Sequence, residues 1–229
     1  MALERLRGRW ERTTGPLLDH LGWLRPNHLT WASLVAALAA AWFGVAAGRE
    51  AAGPWLLVAS LMGLAFLFDG LDGQLARRRG LEGPAGDLLD HTLDRVVDAA
   101  LLVALGSNPA WFLHPDLGVV LGWAAALATM FGSYMGTAAQ SVGLKRDYGG
   151  FGRADRSVAL LLGVILAAAQ SEMGWADVEG PVLFGKALQW NGVSGALTLA
   201  LLGGVITFIT RFSSSLKELS QSDSPRREK

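Results

Sequence analysis

Residues 86–106 read GDLLDHTLDRVVDAALLVALG, and whether this stretch crosses a membrane decides the fold. Asp87, Asp90, Asp94, Asp98 and Arg95 make it too polar to pass as a span on hydropathy. Its neighbours leave no such doubt. HLTWASLVAALAAAWFGVAAG (28–48) and the run at 117–144 carry no charge, and GPWLLVASLMGLAFLF (53–68) stops at Asp69. SVALLLGVILAAAQ (157–170) and NGVSGALTLALLGGVITFIT (191–210) complete the clear apolar runs. Each is about long enough to cross, or nearly cross, a hydrocarbon core.

Charge placement makes the polar stretch a span. Arg77, Arg78 and Arg79 precede it, and beyond Arg95 no Lys or Arg follows until Lys145, Arg146, Arg153 and Arg156. Without a crossing at 86–106, these two basic clusters would lie on opposite sides. With six spans, seventeen of the twenty Lys and Arg fall on one side, only Arg49 and Lys186 on the other, and Arg95 within the third span. That bias marks the basic side as cytoplasmic, with both termini there. The expected fold is all-α, a polytopic membrane protein of six transmembrane helices. The uncharged first run is too long for the apolar region of a signal peptide and follows a long leader, so a cleaved leader is a poor reading.

Three segments follow. Leu3, Leu6, Trp10, Leu17, Leu21 and Leu24 recur at helical spacing among arginines, so 1–25 is expected to form an interfacial amphipathic segment, broken near Gly15–Pro16. Residues 26–212 form the membrane domain. The polar tail 213–229 is expected to be disordered and cytoplasmic. The chain lacks cysteine, which excludes disulfides, thiol nucleophiles and cysteine metal sites.

The second and third spans form a hairpin turned by Gly80, Gly83, Pro84 and Gly86. Asp69 and Asp72 are three apart, Asp90 and Asp94 four apart, so each pair shares a helix face near the cytoplasmic end. An ionised Asp inside a span costs roughly 2.5–3.5 kcal/mol at mid-membrane and less near the edge. Four clustered carboxylates persist where cations neutralise them, and hard oxygen ligands suit about two Mg²⁺ or Mn²⁺ ions. Asp87 is equally a helix cap, Asp98 a polar contact between helices, and His91 a neighbour about 100° round the helix from Asp90. Gly70 and Gly73 each cost about 1 kcal/mol relative to alanine in a helix, so close packing must compensate. Small residues at Gly73 and Ala76, a divalent pair and Arg77 would together seat a nucleotide pyrophosphate. No persuasive Ser–His pair offers a covalent route.

The pattern Asp69-x-x-Asp72-Gly73-x-x-Ala76-Arg77, eight residues, then Gly86-x-x-x-Asp90-x-x-x-Asp94 resembles the full signature of the CDP-alcohol phosphotransferases, over roughly residues 20–212. The resemblance implies transfer of a phosphatidyl-type group from a CDP-linked lipid, diacylglycerol or archaeol type, to a polar alcohol, with release of CMP. It implies Asp69, Asp72, Asp90 and Asp94 as metal ligands and Asp94 also as general base. Gly73, Ala76 and Arg77 would hold CDP, joined by Asn27 and Thr30 of RPNHLT (25–30), which spacing alone would make helix caps. It also implies a homodimer in the cell membrane.

The acceptor is read from the 141–158 connection. GRADR (152–156) and Arg211 resemble the branch that uses inositol phosphate. Arg153, Arg156 and Arg211, with Lys145 or Arg146, would grip an acceptor phosphate through paired hydrogen bonds. Inositol 1-phosphate is the expected acceptor. Met135–Gln140 lacks the basic residues usual in that branch, which leaves glycerol 3-phosphate or serine as alternatives. A divalent metal transporter, the remote alternative, should show interrupted helices at mid-membrane, and a membrane prenyltransferase more widely separated aspartate motifs. Nothing points to nucleic acid.

Overall fold

The computed structural model describes residues 14–16, 18, 23–145 and 149–222. Six long helices dominate them: α1 (Pro26–Ala46), α2 (Ala52–Arg79), α3 (Pro84–Gly106), α4 (Pro115–Ser141), α5 (Arg153–Met173) and α6 (Gly192–Ser222). All but α3 are long and apolar enough to cross a membrane. The chain is thus mostly helical, with five such helices among the described residues, and the sixth long helix is the polar α3. The expected interfacial segment and Arg146 lie largely or wholly outside the described residues. Of that segment, Leu18 is buried with Leu29, Leu71 and Leu75, and the Thr14 hydroxyl donates to Gln74 Oε1 at 2.6 Å.

Local chemistry explains the boundaries. Pro26, Pro84 and Pro115 sit in the first turns of α1, α3 and α4, where the missing N–H costs nothing. Gly80 ends α2 in the left-handed region at φ 61°, a conformation glycine adopts without a Cβ penalty. The chain therefore reverses within Gly80–Gly83, and α3 runs back beside the membrane-depth helices. It packs on α1 and α4. A Cβ on Gly106 would stand 2.6 Å from Gly118 O and 2.7 Å from Gly122 Cα. Only glycine permits that approach of α3 to α4.

Apolar side chains point both inward and outward. Trp55, Met62, Trp111, Leu101, Leu105, Leu160 and Leu197 form a buried core. Trp31, Val35, Leu38, Trp42, Leu127, Leu162 and Ile206 are exposed along the helices, as expected of surfaces solvated by lipid rather than water. Polar side chains lace the end opposite the α2–α3 turn. Arg49 pairs bidentately with Asp177 at 2.7 and 2.9 Å and lies 4.1 Å from the Trp111 ring centre. Asn108 donates to Gly44 O and Ala47 O, and Asn191 to Trp111 O.

Two features depart from the expected all-α chain with a disordered tail. Between α5 and α6, β1 (Val178–Leu183) and β2 (Lys186–Trp190) form an antiparallel hairpin. Phe184 and Gly185 at its tip both have positive φ, 52° and 75°, the backbone of a two-residue hairpin turn matched to strand twist. Gly180–Pro181 interrupts the apolar run, so the segment reads as loop in a scan for helical periodicity. At the other end of the chain, α6 continues to Ser222, because no Gly or Pro interrupts SSSLKELSQS and Leu216, Lys217 and Glu218 favour helix.

Candidate active site

The α2–α3 reversal brings the carboxylates together. Asp69, Asp72, Gly73 and Ala76 follow one face of α2, and Asp90, Asp94 and Asp98 recur every fourth residue on α3, both near the turn. Asp72 and Asp94 are buried, Asp69 and Asp90 partly so. Asp72 is fixed from two sides: Thr30 Oγ1 donates to its Oδ2 at 2.6 Å, and the Gly73 amide to its Oδ1 at 2.5 Å. Thr30 therefore orients a carboxylate. Asn27 is exposed in the first turn of α1.

One guanidinium joins the two aspartate helices. Arg153, the first residue of α5, places Nη1 2.6 Å from Asp69 Oδ2 and 2.7 Å from Asp94 Oδ1. Its position follows from the start of α5, where Asp155 Oδ2 accepts from the Gly152 amide at 3.1 Å, and the i, i+3 spacing sets Arg156 on the same face. Arg156 is buried, with Nη2 2.5 Å from Asp98 Oδ2. Arg95 reaches the same oxygen at 3.3 Å. Asp98 is thus the polar contact between helices that its spacing suggested.

The donor set suits a hard divalent cation. Asp90, His91 and Asp94 each offer a ligand atom within 4.8 Å of the others. His91 Nδ1 lies 3.9 Å from Asp90 Oδ2, so the histidine stands closer to the cluster than its angle on the helix implied. Asp69 and Asp94 meet at Arg153, with Asp72 one turn along α2 from Asp69 and Asp90 one turn along α3 from Asp94, a surplus of negative charge that one guanidinium does not neutralise. Asp87 is exposed in the first turn of α3, where its charge favours the positive end of the helix.

Beside the carboxylates lies a second, cationic compartment. A polar pocket of about 30 Å³ is lined by Arg153, Arg156 and Arg211 together with Thr129, Ser133 and Thr207. Arg211 reaches it from α6 and is held by two backbone carbonyls, Gly149 O at 3.1 Å and Gly132 O at 2.8 Å. Arg153 Nε, Arg156 Nε and Thr129 Oγ1 are buried without a protein partner among the described residues. Lys145 is exposed outside this pocket. The hydroxyl residues escape sequence reading: Thr129 and Thr207 sit inside apolar runs and resemble ordinary helix residues there. Thr207 also accepts from the Phe151 amide at 2.8 Å and so pins the connection that carries the arginines.

Gly73 and Ala76 are partly buried, and Arg77 is exposed at the end of α2. A Cβ at Gly73 would meet only Arg77 Nη1, at 3.4 Å. Between α2 and α5 a larger cavity, about 530 Å³, is lined by Gly63, Phe66, Gly70 and Leu161 and closes on Asp69 and Arg153. The site thus combines a carboxylate cluster, a cationic pocket and an apolar cavity, with Arg153 on all three.

Comparison with known proteins identifies the family and the fold. The profile of the CDP-alcohol phosphatidyltransferase family matches residues 23–202. The phosphatidylinositol phosphate synthase of Cutibacterium acnes is 31% identical over 206 residues, covering 86% of this chain and 93% of its own. An archaetidylinositol phosphate synthase of Methanothermobacter thermautotrophicus is 30% identical over 152 residues, 66% of this chain and 71% of that protein. Among solved structures, Mycobacterium tuberculosis phosphatidylinositol phosphate synthase with CDP-DAG bound superposes with TM-score 0.67 at 25% identity, covering 95% of this chain and 98% of that one. Its complex with manganese and citrate superposes with TM-score 0.68 at 25% identity, covering 94% and 92%.

Proposed function

The chain belongs to the CDP-alcohol phosphatidyltransferase family, and from that premise we propose that it moves a phosphatidyl-type group from a CDP-linked lipid to inositol 1-phosphate, releasing CMP. It is an integral membrane enzyme. The observation that carries the choice of acceptor is the pocket in which Arg153, Arg156 and Arg211 converge beside the carboxylates. A phosphate monoester offers the multiple oxygens that three guanidiniums can grip with charge-assisted hydrogen bonds. Serine would present only one carboxylate, beside an ammonium that the three guanidiniums would repel. The similarity to phosphatidylinositol phosphate and archaetidylinositol phosphate synthases favours the same choice over glycerol 3-phosphate.

Asp69, Asp72, Asp90 and Asp94 would hold divalent ions, two Mg²⁺ or Mn²⁺ if their four charges are balanced, with Thr30 and the Gly73 amide orienting Asp72. Such ions, when bound, stabilise charge developing on the transferred phosphoryl group. Gly73 leaves room at the helix surface for the pyrophosphate, Ala76 continues that groove, and Arg77 with Asn27 holds the nucleotide. The 530 Å³ cavity between α2 and α5 accommodates the start of the lipid chains, diacyl or isoprenoid. Asp94 accepts the proton of the acceptor hydroxyl. That oxygen attacks the β-phosphorus in line, the bond to the bridging oxygen breaks, and CMP departs with the pair. Lys145 adds positive charge on the connection that leads to α5.

In the membrane all six helices cross, α3 included. Residues 26–212 form the catalytic domain, and the site faces the cytoplasm of the cell membrane. The enzyme works as a homodimer. The test offers purified protein a CDP-lipid, Mg²⁺ and, separately, inositol 1-phosphate, inositol, glycerol 3-phosphate and serine. CMP release is expected with inositol 1-phosphate. Turnover of free inositol or serine, with none of the phosphorylated acceptors, would reduce the arginines to topology signals.

A further inference from the structure

The three arginines of the cationic pocket are held differently. Arg156 is committed to Asp98, which is not among the proposed metal ligands, at 2.5 Å. Arg211 is anchored by the carbonyls of Gly149 and Gly132. Arg153 alone spends its guanidinium on Asp69 and Asp94, the same carboxylates that a divalent ion would use. Its Nε, buried without a protein partner, belongs to a side chain that lines the acceptor pocket. Nη1 and the rest of the side chain thus serve two compartments.

From this, resting on the proposed function, we infer that Arg153 is a hand-over residue: it yields Asp69 and Asp94 to divalent cations and turns to the phosphate of the acceptor, so that metal loading prepares the acceptor site. The charge pattern supports this. Asp98 keeps Arg156 and Arg95 throughout, while Asp69 and Asp94 share Arg153, and Asp72 and Asp90 add two further negative charges beside them, a surplus that two divalent ions would remove. Arg153 then has less electrostatic reason to remain, and a phosphate is the strongest alternative partner nearby. The pocket of about 30 Å³ has room for little more than one water, so an acceptor phosphate enters only as a lining side chain moves. Arg153, 24% exposed and free of backbone anchors among the described residues, is the long side chain placed to move. Because binding couplings are reciprocal, the acceptor must equally strengthen metal binding.

The test uses the full chain in nanodiscs, with Mn²⁺ binding followed by electron paramagnetic resonance and inositol 1-phosphate binding by calorimetry, without CDP-lipid. In the native protein, saturating Mn²⁺ should tighten inositol 1-phosphate binding roughly tenfold, within the ordinary range of coupling between sites. Arg153→Gln should bind Mn²⁺ at least as tightly as the native protein, and the tightening should fall to about twofold or less. Asp69→Asn removes one of Arg153's two partners and should strengthen inositol 1-phosphate binding without Mn²⁺. Should Arg153→Gln not fold, the Asp69→Asn measurement decides. Weaker Mn²⁺ binding in Arg153→Gln would make Arg153 a support for the ligands and overturn the hand-over. Undiminished coupling in Arg153→Gln, or no gain in Asp69→Asn, would overturn it as well. Strong acceptor binding that ignores Mn²⁺ would overturn the hand-over alone. Absence of inositol 1-phosphate binding under every condition would overturn the acceptor assignment with it.

Discussion

At Gly73 a methyl group would meet only the end of Arg77, 3.4 Å away. Within the protein, then, nothing forbids alanine, which favours helix by about 1 kcal/mol. The groove reading makes a sharp distinction from this. Gly73→Ala should leave thermal stability unchanged or slightly raised, yet raise the CDP-lipid KM by roughly tenfold or more, the equivalent of about 1.4 kcal/mol. Thermal melts and initial rates on one preparation check both halves. An unchanged KM would remove Gly73 from the nucleotide seat. The aspartates and their spacing were legible from sequence, because buried charge is expensive enough to need a cause. Thr30's role was not. A hydroxyl one residue into an apolar run reads as a cap, and only the approach of α1 to α2 sets it 2.6 Å from Asp72.

At the scale of elements, α3 is the informative one. Composition argues against it as a span, and the positive-inside bias argues for it. The structure packs it between α1 and α4, with Asp94, Val97, Asp98, Leu101 and Leu105 turned inward. Because the chain lacks cysteine, single introduced thiols report topology without background. Glu82→Cys before α3 and Leu113→Cys after it are both exposed positions. An impermeant maleimide added to intact cells should label Leu113→Cys and not Glu82→Cys, and in inverted vesicles the reverse. Labelling of both from one side would return α3 to a surface helix. The β1–β2 hairpin shows the opposite balance: it has no periodic signal, and Asp177–Arg49 pairing at its base is a contact between residues far apart in the chain.

Across the whole molecule, chemistry and scaffold occupy opposite ends. The carboxylates and arginines lie at the α2–α3 turn, while Arg49, Asp177, Asn108, Asn191 and the perpendicular Trp55–Trp111 pair hold the other end. Arg49→Ala leaves Asp177, with its side chain 6% exposed, short of its charge partner. The expected result is a loss of about 1–3 kcal/mol in stability, seen as a lower melting temperature, with kcat and both KM values near native at 25 °C. A large change in KM would mean that the far latch also shapes the site.

By itself the sequence determined the membrane class, the order of the long helices and the eight-position motif, and it set an expectation for the side on which the basic residues gather. Each rests on chemistry that neighbouring residues express without help: long apolar runs, charge asymmetry, and periodic placement of carboxylates. Tertiary structure alone decided which charges meet. Arg153 lies 84 positions from Asp69, Arg156 lies 58 from Asp98, and Arg211 lies 79 from Gly132. No local pattern sets such pairings. They arise because α2, α3, α5 and α6 bring their polar ends to one side of the bundle, where burial makes each unmatched charge costly and the nearest opposite charge becomes its partner.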